Sequence, residues 1–203
     1  MFFITDPDER PDGWVNLSNS NDWQAWLRSN IPDDLDQGIR DRLSSNLKHI
    51  LVGLELKKAL ILPHAQREGG EREVLFEPYF QILTFEFCVG AYSVLEGIGA
   101  SHWLGRNGRD GADNPRIDRV DWQSALCAVY DSDAEHGLEA AVQTTSNVRD
   151  KLHQDRLGAR VEIDWHAMGY DPAFLPANHA IGTLLYSEAN LVPARSNLKI
   201  APT

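Results

Sequence analysis

The chain has 203 residues and a mass of 22.8 kDa, with 42% hydrophobic and 24% charged side chains. That length gives one domain able to hide about 70% of its unfolded surface, and that composition excludes an intrinsically disordered chain. Nineteen Lys and Arg stand against thirty Asp and Glu, a net charge of −11, which excludes a protein that coats nucleic acid or an anionic membrane with its whole surface.

Residues 1–20 are polar and rich in Pro, Asp, Asn and Ser, and read as an irregular arm. They lack the basic start and long apolar stretch of a signal peptide, which predicts the cytoplasm. Ser20 or Asn21 can cap a short helix through Leu27, with Trp23, Trp26 and Leu27 on one side. Ile31-Pro32-Asp33-Asp34 then opens a long helix, with acids suited to its N-terminus. Leu35, Ile39, Leu43, Leu47, Ile50, Leu51, Leu54 and Ala59 keep helical spacing to about Leu62. Pro63 is expected to stop that helix, and 64–74 to form a charged loop.

The next helix is predicted over Pro78–Leu104, with Phe80, Leu83, Phe87, Tyr92, Leu95 and Trp103 apolar and Gly90, Gly97 and Gly99 allowing a neighbouring helix to approach. Its most apolar part, Phe85–Leu104, is interrupted by Glu86, Glu96 and His102, so it reads as a buried helix rather than a membrane span. Glu86 and Glu96 are expected to be buried carboxylates with a partner such as Arg149. Residues 105–120 break the helical pattern; Asp121 can cap a helix to Tyr130. Ser132 and Glu135 form a capping box for a helix to about Arg156, with Leu138, Ala141, Val142, Thr145, Val148 and Leu152 on one stripe. Residues 159–167 alternate like a short strand. Asp171-Pro172 marks a further start, and Ala177–Leu191 is the last predicted helix. The fold class is therefore mainly α, an up-and-down bundle of four to six helices with one short extended segment.

Cys88 and Cys127 stand apart in apolar stretches and are read as reduced, buried thiols. The seven histidines are scattered, and neither Glu-x-x-His nor HExxH occurs, so no metal or cofactor is implied. Gly105–Gly111 lacks the ending of a phosphate-binding P-loop and reads as a linker. The six tryptophans have no interleaved basic residues and read as core or interface anchors.

The informative stretch is Arg149-Asp150-Lys151-Leu152-His153. Arg149 and His153 are four apart and share one helix face. A guanidinium that grips a phosphate beside an imidazole that moves a proton near neutral pH is what cleavage of RNA through its own 2′-OH needs, without a metal. The other reading is an ordinary helix face, with Arg149 paired to an acid such as Asp150 or Glu96. Residues 140–160 hold four basic and two acidic side chains, a local net of +2, whereas residues 1–46 hold four basic and nine acidic. The motif sits on a small positive island of a negative chain.

This stretch resembles the signature of the HEPN superfamily of small helical bundles, whose usual form is Arg, then Asn or Asp, then a few residues, then His. The two long helices, a shorter one and then the motif helix are similar to that family over roughly 34–157. The resemblance implies a homodimer and a metal-independent endoribonuclease, or a relative that binds a nucleotide phosphate. It implies Arg149 as phosphate-binding residue, His153 as acid/base and Asp150 as their orienter, with Lys151, Arg156, Glu96 and Asn147 as surrounding binding residues. Three residues separate Arg149 from His153 where the family usually has at least four, and Gln154 stands where the longer spacing would put histidine. The alternatives are a non-catalytic module that pairs with itself or another protein, and a bundle that binds a small molecule between helices 78–104 and 132–156. The domain reading is an arm and short helix over 1–33, a HEPN-like bundle over 34–157, and a C-terminal extension over 158–203 packed on the bundle.

Overall fold

A computed structural model describes residues 20–65, 77–107, 120–130, 137–151 and 165–186. They form six α-helices: α1 Ser20–Asn30, α2 Gln37–Ala65, α3 Glu77–Asn107, α4 Trp122–Tyr130, α5 Leu138–Asp150 and α6 Leu175–Tyr186. The all-α bundle expected from the periodicity is the observed architecture, and no strand occurs among the described residues.

The longest apolar pattern takes the centre. α3 packs against α2, α4, α5 and α6, while α1 lies on α2 and α6 on α5. Its buried set includes Phe85, Phe87, Tyr92, Val94, Leu95 and Ser101, which cover more than half of the helix circumference rather than one narrow stripe. An 18-residue window of this helix is apolar enough to cross a membrane, and 56% of it is buried inside the fold. The small residues do what their size allows. A Cβ on Gly97 would stand 3.1 Å from Leu47 of α2, and one on Gly99 would stand 2.5 Å from the Trp122 carbonyl of α4. Gly90 likewise meets Leu54, so α2 and α3 run antiparallel with their backbones close.

Several boundaries move for local reasons. α2 begins at Gln37, not at Asp33, because Asp36 caps it: its Oδ1 accepts from the Gly38 amide at 3.0 Å. Residues 31–36 form the turn before it. The same helix continues through position 63 to Ala65. α3 extends three residues beyond Leu104, its end closed by the Asn107 amide on the Trp103 carbonyl. Asp121 caps α4 as expected, accepting from the Ser124 amide at 3.2 Å. α5 starts at Leu138 behind Gly137, whose φ of 62° is left-handed; the capping box at Ser132 and Glu135 lies outside the described residues. Of the extended segment expected at 159–167, residues 159–164 lie outside the described residues. Trp165–Ala167 is a 3-10 turn instead, closed by the Met168 amide on the Trp165 carbonyl. Asp171-Pro172 lies inside a π-turn, Tyr170–Phe174, that leads directly into α6.

One hydrophobic cluster crosses both expected domain boundaries. Trp23, Trp26, Leu27 and Ile31 are buried from the N-terminal side, and Phe174, Ala177, Ile181 and Leu184 from the C-terminal side. Phe174 meets Phe87 with ring centroids 4.8 Å apart, and Cys88 Sγ reaches the Ala173 carbonyl at 3.4 Å. Burial of this apolar surface is the main term that holds these flanking elements on the bundle.

Candidate functional site

Helical geometry carries Arg149 to α3. Leu138, Ala141, Val142, Thr145 and Val148 of α5 are buried, which turns position 149 toward the edge of the α3 contact. There the guanidinium carbon lies 5.0 Å from the centroid of the Tyr92 ring, within cation–π range. Its Nη1 donates to Asp150 Oδ1 at 2.9 Å, and the Arg149 side chain stays 32% exposed. That ion pair raises the guanidinium pKa further, with smaller contributions from Tyr92 and Glu96.

Tyr92 is the platform. Its ring stands edge-on to Trp122 at 5.5 Å, and its hydroxyl donates to Glu96 Oε1 at 2.9 Å. Burial, then the hydrogen bond to Glu96, pushes its pKa up to about 12, so it remains a neutral donor at physiological pH. Glu96 is partly buried one turn further along α3 and faces the site through this hydroxyl. The Arg149–Glu96 proximity read from the sequence is thus relayed by Tyr92.

The other candidates divide. Lys151 is partly buried just past α5, and its amide closes the helix on the Val148 carbonyl at 3.3 Å. Asn147 is exposed and accepts from Gln143 at 2.9 Å. Two positions from Arg149 on a helix, it lies on the other side, so the structure does not gather it with the guanidinium. His153 and Arg156 lie outside the described residues. Glu86 is not buried: its side chain is 52% exposed and pairs with Lys57 at 3.6 Å. Among the described residues the buried carboxylate is Glu55 of α2, which accepts from the Trp23 indole at 3.2 Å. Cys88 is buried, whereas Cys127 is only partly so. Among the described residues, no three His, Cys, Asp or Glu side chains gather as a metal site.

A second feature has no local sequence signature. At the ends of α1 and α4 an open cleft of about 220 Å³ is walled by Ile31, Pro32, Val129 and Tyr130. Asn30, Asp33 and His102 supply its main polar groups. His102 Nε2 lies 3.3 Å from the Tyr130 hydroxyl, which points to Asn30 Oδ1 at 3.5 Å. Burial, and next the Arg106 charge, lower the His102 pKa, while burial raises that of Tyr130, so both are neutral at physiological pH. These residues come from three helices, 28 and 100 positions apart, beyond the reach of motif reading.

No family model, no curated protein and no solved structure matches this chain.

Proposed function

We propose that the chain is a HEPN-like helical bundle, homodimeric and cytoplasmic, that takes an RNA or nucleotide phosphate at Arg149 and cleaves RNA without a metal. The observation that carries this reading is the presentation of Arg149. The guanidinium is laid on Tyr92, steered by Asp150 and still a third open to solvent. A guanidinium held by a ring and one carboxylate oxygen retains donors for a phosphate. Lys151 and Arg156 would add to its attraction for an anion. In the reaction His153 takes the proton of the ribose 2′-OH, and that oxygen attacks phosphorus. The bond to the 5′-oxygen breaks and that oxygen is reprotonated, leaving a 2′,3′-cyclic phosphate and a 5′-hydroxyl. Arg149 offsets the charge that develops on the phosphoryl oxygens.

The test is cleavage of a mixed-sequence RNA in the presence of a chelator. The wild type is expected to release cyclic-phosphate ends, and Arg149→Ala and His153→Ala to lose about 100-fold or more of the rate. Equal cleavage by wild type and by the double variant, or no cleavage at all, sinks the ribonuclease reading. Retained binding of a nucleotide that Arg149→Ala loses would leave the phosphate-binding relative.

A specific observation favours a second reading, a non-catalytic module that pairs with a second copy. Tyr79 and Ile82 lie one turn apart at the start of α3, and Trp165 meets the nearby Phe85 ring; these three are the exposed large apolar side chains among the described residues. Arg149 is also already neutralised by Asp150. A dimer that Ile82→Lys dissociates, in a protein inactive on RNA, supports this reading; a strict monomer refutes it.

A further inference from the structure

We propose that the cleft at the ends of α1 and α4 binds a small amphipathic amine, its ammonium beside Asp33 and the closing carbonyls of α1, its apolar body against Ile31, Pro32, Val129 and Tyr130. This site is separate from Arg149 and does not rest on the ribonuclease reading.

The charge balance of the walls selects a cation. With His102 and Tyr130 neutral, Asp33 is the only formally charged side chain in the lining at physiological pH. Its Oδ1 accepts from Arg40 at 2.9 Å, its side chain is 94% exposed, and Oδ2 takes no donor among the described residues. The backbone adds the same sign. α1 ends at Asn30 and α4 at Tyr130, so two helix C-termini, with their partial negative charge, meet at the cleft. Of the last carbonyls of α1, Leu27 accepts from the Ile31 amide and Arg28 from Arg40 Nη2. The Ser29 and Asn30 carbonyls receive no backbone amide among the described residues, which leaves acceptors at the rim and no strong donor except Arg40.

Size and shape select the rest. The volume is about seven waters' worth at ~30 Å³ each, enough for one ring or a short chain. The apolar walls favour a hydrocarbon body. Arg40 and the exposed Arg106 oppose the ammonium. The sign of the preference is therefore the discriminating quantity.

The test is calorimetric titration of the full chain with phenethylammonium, the neutral isostere phenethyl alcohol and the anion phenylacetate. The ammonium is expected to bind about fivefold tighter than the alcohol, the upper range for one exposed charge pair, and phenylacetate most weakly. Asp33→Asn, at an exposed position, should shrink the ammonium preference to the smaller part that the α1 and α4 C-termini supply. Val129→Trp, which fills the cleft, should abolish both, with its fold checked by circular dichroism. Absence of ammonium binding to the wild type overturns the proposal. So does a preference for phenylacetate, since Arg40 and Arg106 would then set the sign. An ammonium preference undiminished in Asp33→Asn overturns it as well.

Discussion

Lys58 is expected to cost the protein stability, and its removal to show how much. It is 2% exposed on the α2 face that carries Leu54 and Ile61, and its Nζ finds no hydrogen-bond partner among the described residues. Burial lowers its pKa from 10.5 to about 8. The unfolded chain keeps its proton up to about pH 10.5, so between pH 8 and 10.5 the unfolded state binds more protons than the folded one, and stability rises with pH. Below pH 8 the full cost is present. At 1.36 kcal/mol per decade the displacement is worth about 3 kcal/mol, an upper bound because water reaching the ammonium screens it. Lys58→Met keeps the chain volume and the helix propensity and removes the charge. It should stabilise the protein by about 1–3 kcal/mol at pH 7, a gain that falls by about half near pH 9.5. Urea unfolding of both proteins at the two pH values measures the difference, in which the other titrating groups largely cancel. A variant less stable than wild type at pH 7, or a gain equal at both pH values, would show that the buried Lys58 ammonium does not cost stability.

The helix glycines should answer alanine with opposite signs. Gly99→Ala drives a Cβ to 2.5 Å from the Trp122 carbonyl and should destabilise by about 1–3 kcal/mol, whereas Gly53→Ala meets only Lys57 Nζ at 3.9 Å and should stabilise by about 0.5–1 kcal/mol. Thermal melts separate them, and shifts of the same sign would contradict the packing. The two thiols should also part. Burial pushes Cys88 up to about 12, while Cys127 is only partly buried. Iodoacetamide at neutral pH should therefore alkylate Cys127 first, as read by peptide mass; equal labelling in the folded protein would count against the buried placement of Cys88.

The helices were legible because their signals are local. Successive members of the Leu138–Val148 stripe, and Asp121 with the Ser124 amide it caps, are at most three positions apart, and each reappears in the structure. Where a strong cap competed with acids further upstream, the cap prevailed: Asp36 starts α2, and Asp33 is left in the turn, where it lines the cleft. The pairing of Glu86 was misread for a related reason. An acid inside an apolar helix looks buried in one dimension, but rotation about the helix axis puts Glu86 outside beside Lys57. It is Glu55, on a less apolar helix, that is buried under Trp23.

The candidate site was half legible. Arg149 and Asp150 are neighbours in the chain, so their pairing follows from the motif. The Tyr92 platform does not, since it depends on which face α5 turns toward α3. What the amino-acid order settled is helix content, the close approach at the α3 glycines, and a net charge of −11 that is unevenly spread along the chain. What folding alone settled is which distant side chains share a space. Tyr92 meets Arg149, and Asn30, His102 and Tyr130 converge on one cleft, because helix packing brings together residues whose separation along the chain carries no periodic signal.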